Sequence, residues 1–371
     1  MVFAGALEYE GGVSRQVLIT GGAGFIGCEL GHALAAQGFE VHAFDNLHPQ
    51  VHTTLGAPKR LAPGVSLHLG DVTSADNLRA LFQLIRPPVI VHLAAETGTG
   101  QSLTQAARHA GVNALGTAQL LDALSAAGHR PEQLLLASSR AVYGDGAWQE
   151  PGGPVFYPVG RTRADLEARS WNPRGPSGRP GAPLPSVAGQ TSPNPISVYG
   201  ATKLVQEQML AAWCRAFGVP LTVLRLQNVY GAGQALGNPY TGVLTFFART
   251  VHTRGQLDVY EDGEIVRDFV HVDDVVQAMV KALAQPVAGV RTFDIGSGAP
   301  TTIHQVAQLM AKKASAPPPQ VSGRFRDGDV RAASCQIDAA RRELGYAPKV
   351  SLSDGLDRLL AHVAHVAQLG G

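Results

Sequence analysis

A short apolar strand that runs into a glycine cluster and straight on into a helix admits few folds, and residues 16–27 of this chain read that way. Val17-Leu18-Ile19 leads through Thr20 to Gly21-Gly22-Ala23-Gly24, and Phe25-Ile26-Gly27 opens a stretch of helical period. Glycines at this spacing allow a tight turn and close packing of helix on strand, so the pattern predicts the first βα unit of a doubly wound sheet. The alternation continues down the chain. Strands are expected at 16–20, 40–44, 65–69, 88–93, 133–137 and 221–226, and helices at 25–37, 75–85, 198–217 and over one long Ala-rich run, 103–126. The expected fold class is α/β: a Rossmann-like, doubly wound parallel sheet with a smaller mixed α/β C-terminal lobe. Residues 1–14 read as an N-terminal extension and 15–228 as the sheet domain. Residues 229–371 read mainly as the lobe, interleaved with the last sheet elements and carrying helices at 243–254, 274–284, 303–315 and 354–367.

Composition removes several classes of function. Of 371 residues, 45% are hydrophobic and 16% charged, against about 25% charged in an average domain, so a folded core is expected. The net charge is +1 with no basic run, which argues against a nucleic-acid partner. No apolar stretch reaches about 18 residues, and the N-terminus has no basic start leading into an apolar run, so neither a membrane span nor a signal peptide is expected. Cys28, Cys214 and Cys335 are too scattered for a disulfide framework or a zinc site, and a reducing cytoplasm is the expected location. His48 and His52, like His362 and His365, lack Cys or carboxylate partners at ligand spacing, so no metal is expected. Residues 145–197 hold ten Pro and eight Gly, far above the roughly 12% of an average sequence, and read as an insertion outside the sheet. A loop of this length is either a lid over the site or a plain surface excursion.

The glycine cluster has the context that a dinucleotide fingerprint requires, with the helix N-terminus offering N–H donors to a pyrophosphate. Gly21, Gly24, Phe25, Ile26 and Gly27 are therefore candidate cofactor residues. Asp45 ends the second strand 21 residues after Gly24, where a carboxylate accepts hydrogen bonds from an adenosine ribose and repels a 2′-phosphate. NAD is expected rather than NADP. Asp71, after the third strand, is a candidate for the adenine amino group or else a helix cap. Tyr199 and Lys203 stand four apart on a predicted helix, hence on one face, where an ammonium would lower the phenol's pKa and make it a usable base. Ser139 ends a sheet strand, where ligands bind in such folds, and its hydroxyl can share a hydrogen bond with a substrate oxygen. Asp273 reads as a helix N-cap.

The fingerprint, Asp45, His92-Leu93-Ala94-Ala95, Ser139, Tyr199/Lys203, Arg225 to Gly231 and Arg267 to Asp273 occur in order. Together they resemble the extended short-chain dehydrogenase/reductase family of NAD-dependent nucleotide-sugar epimerases and dehydratases, over roughly 16–360. The resemblance implies Ser139, Tyr199 and Lys203 as the catalytic trio. Asn46, Val72, Leu93, Ala94 and Ala95 would join the cofactor residues. Asn228, Arg267 and Arg326 would meet the nucleotide diphosphate, with Arg140 and Asp329 as further substrate residues. A homodimer is implied, through the helix carrying Asn113 and the Tyr199 helix. Family members that dehydrate a sugar carry an Asp-Glu pair directly after the position of Ser139; here those positions are Arg140 and Ala141, and neither can move a proton at neutral pH. A 4-epimerase is the expectation.

The segments 46–52, 96–102 and 233–242 are similar to the dTDP-L-rhamnose 4-epimerase branch of the family, which makes Thr99, Gln101 and Ser102 candidate sugar contacts. A UDP-hexose 4-epimerase is the alternative. A net dehydratase or reductase and a non-catalytic NAD-sensing protein are more remote.

Overall fold

The computed structural model describes residues 15–52, 58, 60–237 and 242–369, so the expected extension 1–14 and part of 233–242 lie outside the described residues. Strands β1 (Gln16–Thr20), β2 (Glu40–Asp45), β3 (Ser66–Leu69), β4 (Val89–His92), β5 (Gln133–Ser139), β6 (Leu221–Leu226) and β7 (Val290–Ile295) form one sheet. All pair in parallel, in the order β7-β6-β5-β4-β1-β2-β3. Period-2 alternation gives the inner strands two buried faces. Val17 and Ile19 enter one apolar cluster with Leu30 and Val275, and Leu18 enters the other with Leu78, Leu120 and Leu210. The helices Phe25–Ala35 and Val272–Ala284 cover the first face; Ala75–Leu84, Gly116–Ala126 and Val198–Phe217 cover the second. The strand order reverses at β1, with β2 and β3 added on one side and β4 onward on the other, which opens a crevice at the strands' C-terminal ends.

The Tyr199 helix begins and ends as its sequence dictates. Ser197 caps it by accepting from the Gly200 N–H, and Gly218 ends it at φ +68°, a left-handed turn that costs glycine little. The single helix expected over 103–126 is corrected. A short helix spans Thr99–Thr104, the chain breaks at Gln105, and Ala110–Leu115 is a π-helical turn before Gly116–Ala126. The reason is Asn113, fully buried within that turn. Its side chain accepts from the Glu96 N–H at 2.8 Å and donates to the Glu96 carbonyl and to Thr202 Oγ1, clamping the loop after β4 to the Tyr199 helix.

Asp273 is not the N-cap. His271 Nδ1 accepts from the Asp273 N–H, and the Asp273 carboxylate pairs with Arg358. A helix at Asp338–Leu344 was not foreseen. The C-terminal lobe packs Val243–His252, Ile303–Ala314 and Leu352–Leu369 around its own apolar cluster, with small strand pairings at Val266–Arg267, Thr301–Thr302 and Ala332–Ala333. The insertion has structure of its own. Trp148–Gln149 pairs antiparallel with Val155–Phe156 and Ala182–Pro183, and the Trp148 ring is fully buried. Arg161 and Arg331 both bond Glu261, Arg161 also reaches the Asp329 carbonyl, and Arg331 grips Asp262 with two nitrogens. Among the described residues no helix is long and apolar enough to cross a membrane, and no group of three or more His, Cys, Asp or Glu could hold a metal.

Candidate active site

A cleft of about 420 Å³ opens at the C-terminal ends of the strands. The glycine loop forms one wall. A Cβ on Gly21 would come within 2.8 Å of the Ala94 nitrogen, and one on Gly27 within 2.5 Å of the Gly21 carbonyl; Gly24 would meet only the Gly21 carbonyl, at 3.1 Å. The first two positions are thus spent on packing. Gly24 leaves backbone open to the cleft, as a pyrophosphate cradle needs. Asp45 stands at the end of β2 with its carboxylate fixed by the N–H groups of Ala23 (3.1 Å) and Leu47 (2.8 Å), and two fixed bonds leave acceptor capacity for a ribose. Of the expected cofactor residues Gly21, Gly24, Phe25, Ile26, Gly27, Asp45, Asn46, Val72, Leu93, Ala94, Ala95, Tyr199 and Lys203 line this cleft. Asp71 does not. Its carboxylate is taken by Thr73 and Asn46, and the helix cap beside it is Ser74.

Ser139, Tyr199 and Lys203 meet at the cleft floor. Ser139 is the last residue of β5, and its Oγ accepts from the Ala141 N–H. Burial pushes the Tyr199 pKa up, while the Ser139 hydroxyl and the Arg140 charge both favour phenolate. Lys203 shares the cleft floor with this phenol. Burial pulls Lys203 down to about 7 against the opposing pull of Glu207, and its ammonium donates to Gln206 Oε1. The fixed charge beside Tyr199 is Arg140. Its pKa drops to about 10, through burial and then Arg267, which still leaves it protonated at neutral pH.

Behind the trio lies a polar layer that sequence reasoning did not assemble. Gln206 Nε2 donates to Thr117 Oγ1 and lies 3.2 Å from His92 Nε2, and His92 Nδ1 is 2.7 Å from Thr20 Oγ1. Glu207, one residue on, accepts from Ser138 and from two nitrogens of Arg225; Arg225 also bonds Tyr143, which reaches Asp294. One signal was available, the acidic Glu207 at i+4 from Lys203.

The expected substrate residues form a second group. Arg140 donates to Asn228 Oδ1, and Arg267 donates to Asp329 Oδ1 at 2.8 Å. Arg267 and Asp329 act electrostatically on Arg140, so these four side chains cluster. Arg326 is exposed, with its guanidinium 5.2 Å from the Tyr260 ring centre. Thr99 and Gln101 do not line the cleft. Gln101 is buried and exchanges amide hydrogen bonds with Gln50, which does line it. Ser102 is likewise buried, bonded to the Thr99 carbonyl.

A dinucleotide cradle, a Ser-Tyr-Lys floor and an adjoining arginine pair define a Rossmann-type enzyme that moves a hydride and a proton at one carbon of a phosphorylated ligand. The chain belongs to the NAD dependent epimerase/dehydratase family, which its residues 17–162 and 175–296 match. It is 48% identical over 350 residues to the dTDP-L-rhamnose 4-epimerase of Burkholderia thailandensis, covering 94% of this chain and 95% of that one. Among solved structures, the UDP-glucose 4-epimerase of Thermotoga maritima with UDP-glucose has a TM-score of 0.77 and 28% identity, covering 95% of this chain and all of that one. The UDP-glucose 4-epimerase of Thermus thermophilus in complex with NAD has a TM-score of 0.73 and 27% identity, with coverage of 94% and 99%.

Proposed function

We propose that this protein is an NAD-dependent nucleotide-sugar 4-epimerase that interconverts dTDP-L-rhamnose and its C4 epimer, dTDP-6-deoxy-L-talose. What carries the reading is the 48% identity, over nearly the full length of both chains, to a dTDP-L-rhamnose 4-epimerase. Arg140 and Ala141 agree with it, because elimination of water would need an acid and a base at those positions.

The residues of the cleft suit NAD. Asp45 would hold the ribose hydroxyls, and the N–H groups opening the Phe25–Ala35 helix would face the diphosphate. When bound, NAD supplies the hydride acceptor for C4 and returns the same hydride, so no net redox change results. Tyr199 Oη takes the proton of the sugar 4-hydroxyl and later gives it back to the same oxygen. Ser139 Oγ holds that oxygen in line, and Arg140 stabilises the phenolate while the proton is away. Arg140, Asn228, Arg267 and Arg326 anchor the nucleotide diphosphate, with Asp329 holding the Arg267 guanidinium in place, so the sugar can turn and present its other face. Gln101 acts from behind, through Gln50, and the Thr99 carbonyl accepts from Ser102.

A homodimer and a cytoplasmic location complete the reading. Leu103, Leu115 and Val205 stand exposed on helices next to one another, an apolar face that a second copy would cover. All three cysteines are free and buried, as in a reducing compartment.

The test is incubation with a panel of dTDP- and UDP-hexoses, with chromatographic separation of products and absorbance followed at 340 nm. Conversion of dTDP-L-rhamnose with no net absorbance change is expected. Conversion of UDP-glucose alone would overturn the substrate.

A further inference from the structure

Gln227 follows β6 directly, and its side chain is the cleft's unexplained group. Its backbone is fixed, since its N–H donates to the Ile295 carbonyl at 2.9 Å. The residue is 4% exposed, yet neither its Oε1 nor its Nε2 has a hydrogen-bonding nitrogen or oxygen among the described residues. The thiol of Cys335 lies beside it, a weak partner. A buried carboxamide left this way is costly, and folded proteins rarely keep one without a use. Hidden solvent does not account for it on the far side. The small cavity that Gln227 shares with Arg140, Asp145 and Ser334 has room of about 10 Å³, at or below what one water needs.

On its near side Gln227 lines the main cleft together with Ser139, Tyr199 and Lys203. In register, the residue before it pairs with Ser139, and the residue after it receives the hydrogen bond of Arg140. It therefore stands in the chain between a neighbour of Ser139 and the partner of Arg140. The glycine loop, by contrast, follows β1, with β4 and β5 lying between that strand and β6. A neutral group that both donates and accepts matches a sugar hydroxyl, which does the same, and offers no charge to a phosphate or a carboxylate.

We propose that Gln227 is a specificity-determining residue of the sugar site, with its carboxamide hydrogen-bonded to a hydroxyl of the bound hexose. The proposal rests on the nucleotide-sugar reading above. It has a consequence that a structural role lacks: without sugar the amide has only the weak thiol partner, so its removal should do little harm to the free fold.

The experiment uses Gln227→Met, which keeps length and loses both polar ends, with Gln227→Leu as a second variant. Each is compared with wild type in turnover of dTDP-L-rhamnose, affinity for free dTDP, retained NAD and thermal midpoint. The expected result is a loss of about tenfold in kcat/KM, the scale of one neutral hydrogen bond. Affinity for dTDP and NAD content stay unchanged, and the midpoint is equal or higher. Unchanged turnover, an equal loss of dTDP affinity, or loss of NAD would overturn the proposal, the last by moving the contact to the cofactor. A lowered midpoint in both variants, or failure of both to fold, would make Gln227 structural and overturn it as well. Should wild type turn over no nucleotide sugar, the function itself fails, and the proposal with it. Wild-type turnover with unaffected variants sinks the proposal alone.

Discussion

The two walls of the site are built in opposite ways. The cofactor wall is made of near neighbours in sequence: Gly21 to Gly27 form one turn, and Asp45 is bonded by the N–H groups of Ala23 and Leu47. The wall towards Arg267 is held by partners far apart, with Arg161 and Arg331 meeting at Glu261 across 100 and 70 residues. A wall made from spacing is rigid once the strand and helix form. A wall made from distant ion pairs exists only after the insertion and the lobe have docked. Activity at the first should therefore be broken by changing chemistry, and at the second by changing packing.

The largest effect is expected at the floor between them. Tyr199→Phe removes the proton carrier and should cut turnover by about 10²–10⁴-fold, the usual weight of a general acid–base group, while bound NAD is retained. Product chromatography and cofactor release on denaturation check both halves. Turnover near wild type would remove the phenol from the chemistry.

Next comes the insertion. Trp148→Ala empties a fully buried site and should cost about 3–5 kcal/mol in urea unfolding, with a raised KM for the nucleotide sugar and little change in NAD content. A loss of NAD in step with KM would mean that the two walls are not separable.

His92 sharpens the cofactor side. Burial and then Lys203 push it down to about 3, whereas in the unfolded chain it titrates near 6.5. Between those values the unfolded chain holds the extra proton, so stability falls as pH falls. Relative to His92→Asn, wild type should lose about 1.4 kcal/mol per pH unit from pH 6.5 towards 3. Parallel stability curves for the two proteins would show that the ring titrates normally.

The smallest effect is expected at the rim. Arg163 pairs with Glu167 and Asp327 while largely exposed, so Arg163→Ala should change stability by less than about 1 kcal/mol. A larger loss in a urea melt would show that the insertion depends on its surface as much as on Trp148.

What the sequence made legible divides along the same line. Strands β1 to β6, the glycine loop and Asp45 are readable because strand period and turn chemistry are local, whereas β7 at 290–295 was not expected. Ser139, Tyr199 and Lys203 are readable because a strand end and an i,i+4 pair fix where side chains point. The π turn at 110–115 was not readable, since its cause is the contact of Asn113 with Glu96 and Thr202, at separations of 17 and 89. Nor was the direction of Lys203 towards Gln206, which burial and the polar layer decide. Spacing shows which groups share a face, but desolvation decides which of them is charged.

Strand β7 comes from residues 290–295 and closes the sheet beyond β6. A chain leaving the ribosome at about 5–20 residues per second exposes Leu221–Leu226 for several seconds before that partner emerges. During this interval an apolar edge with unpaired backbone groups is open to any other nascent strand. The newborn protein is most prone to aggregate just before its sheet is complete, and slowing translation between those two segments would lengthen the exposure.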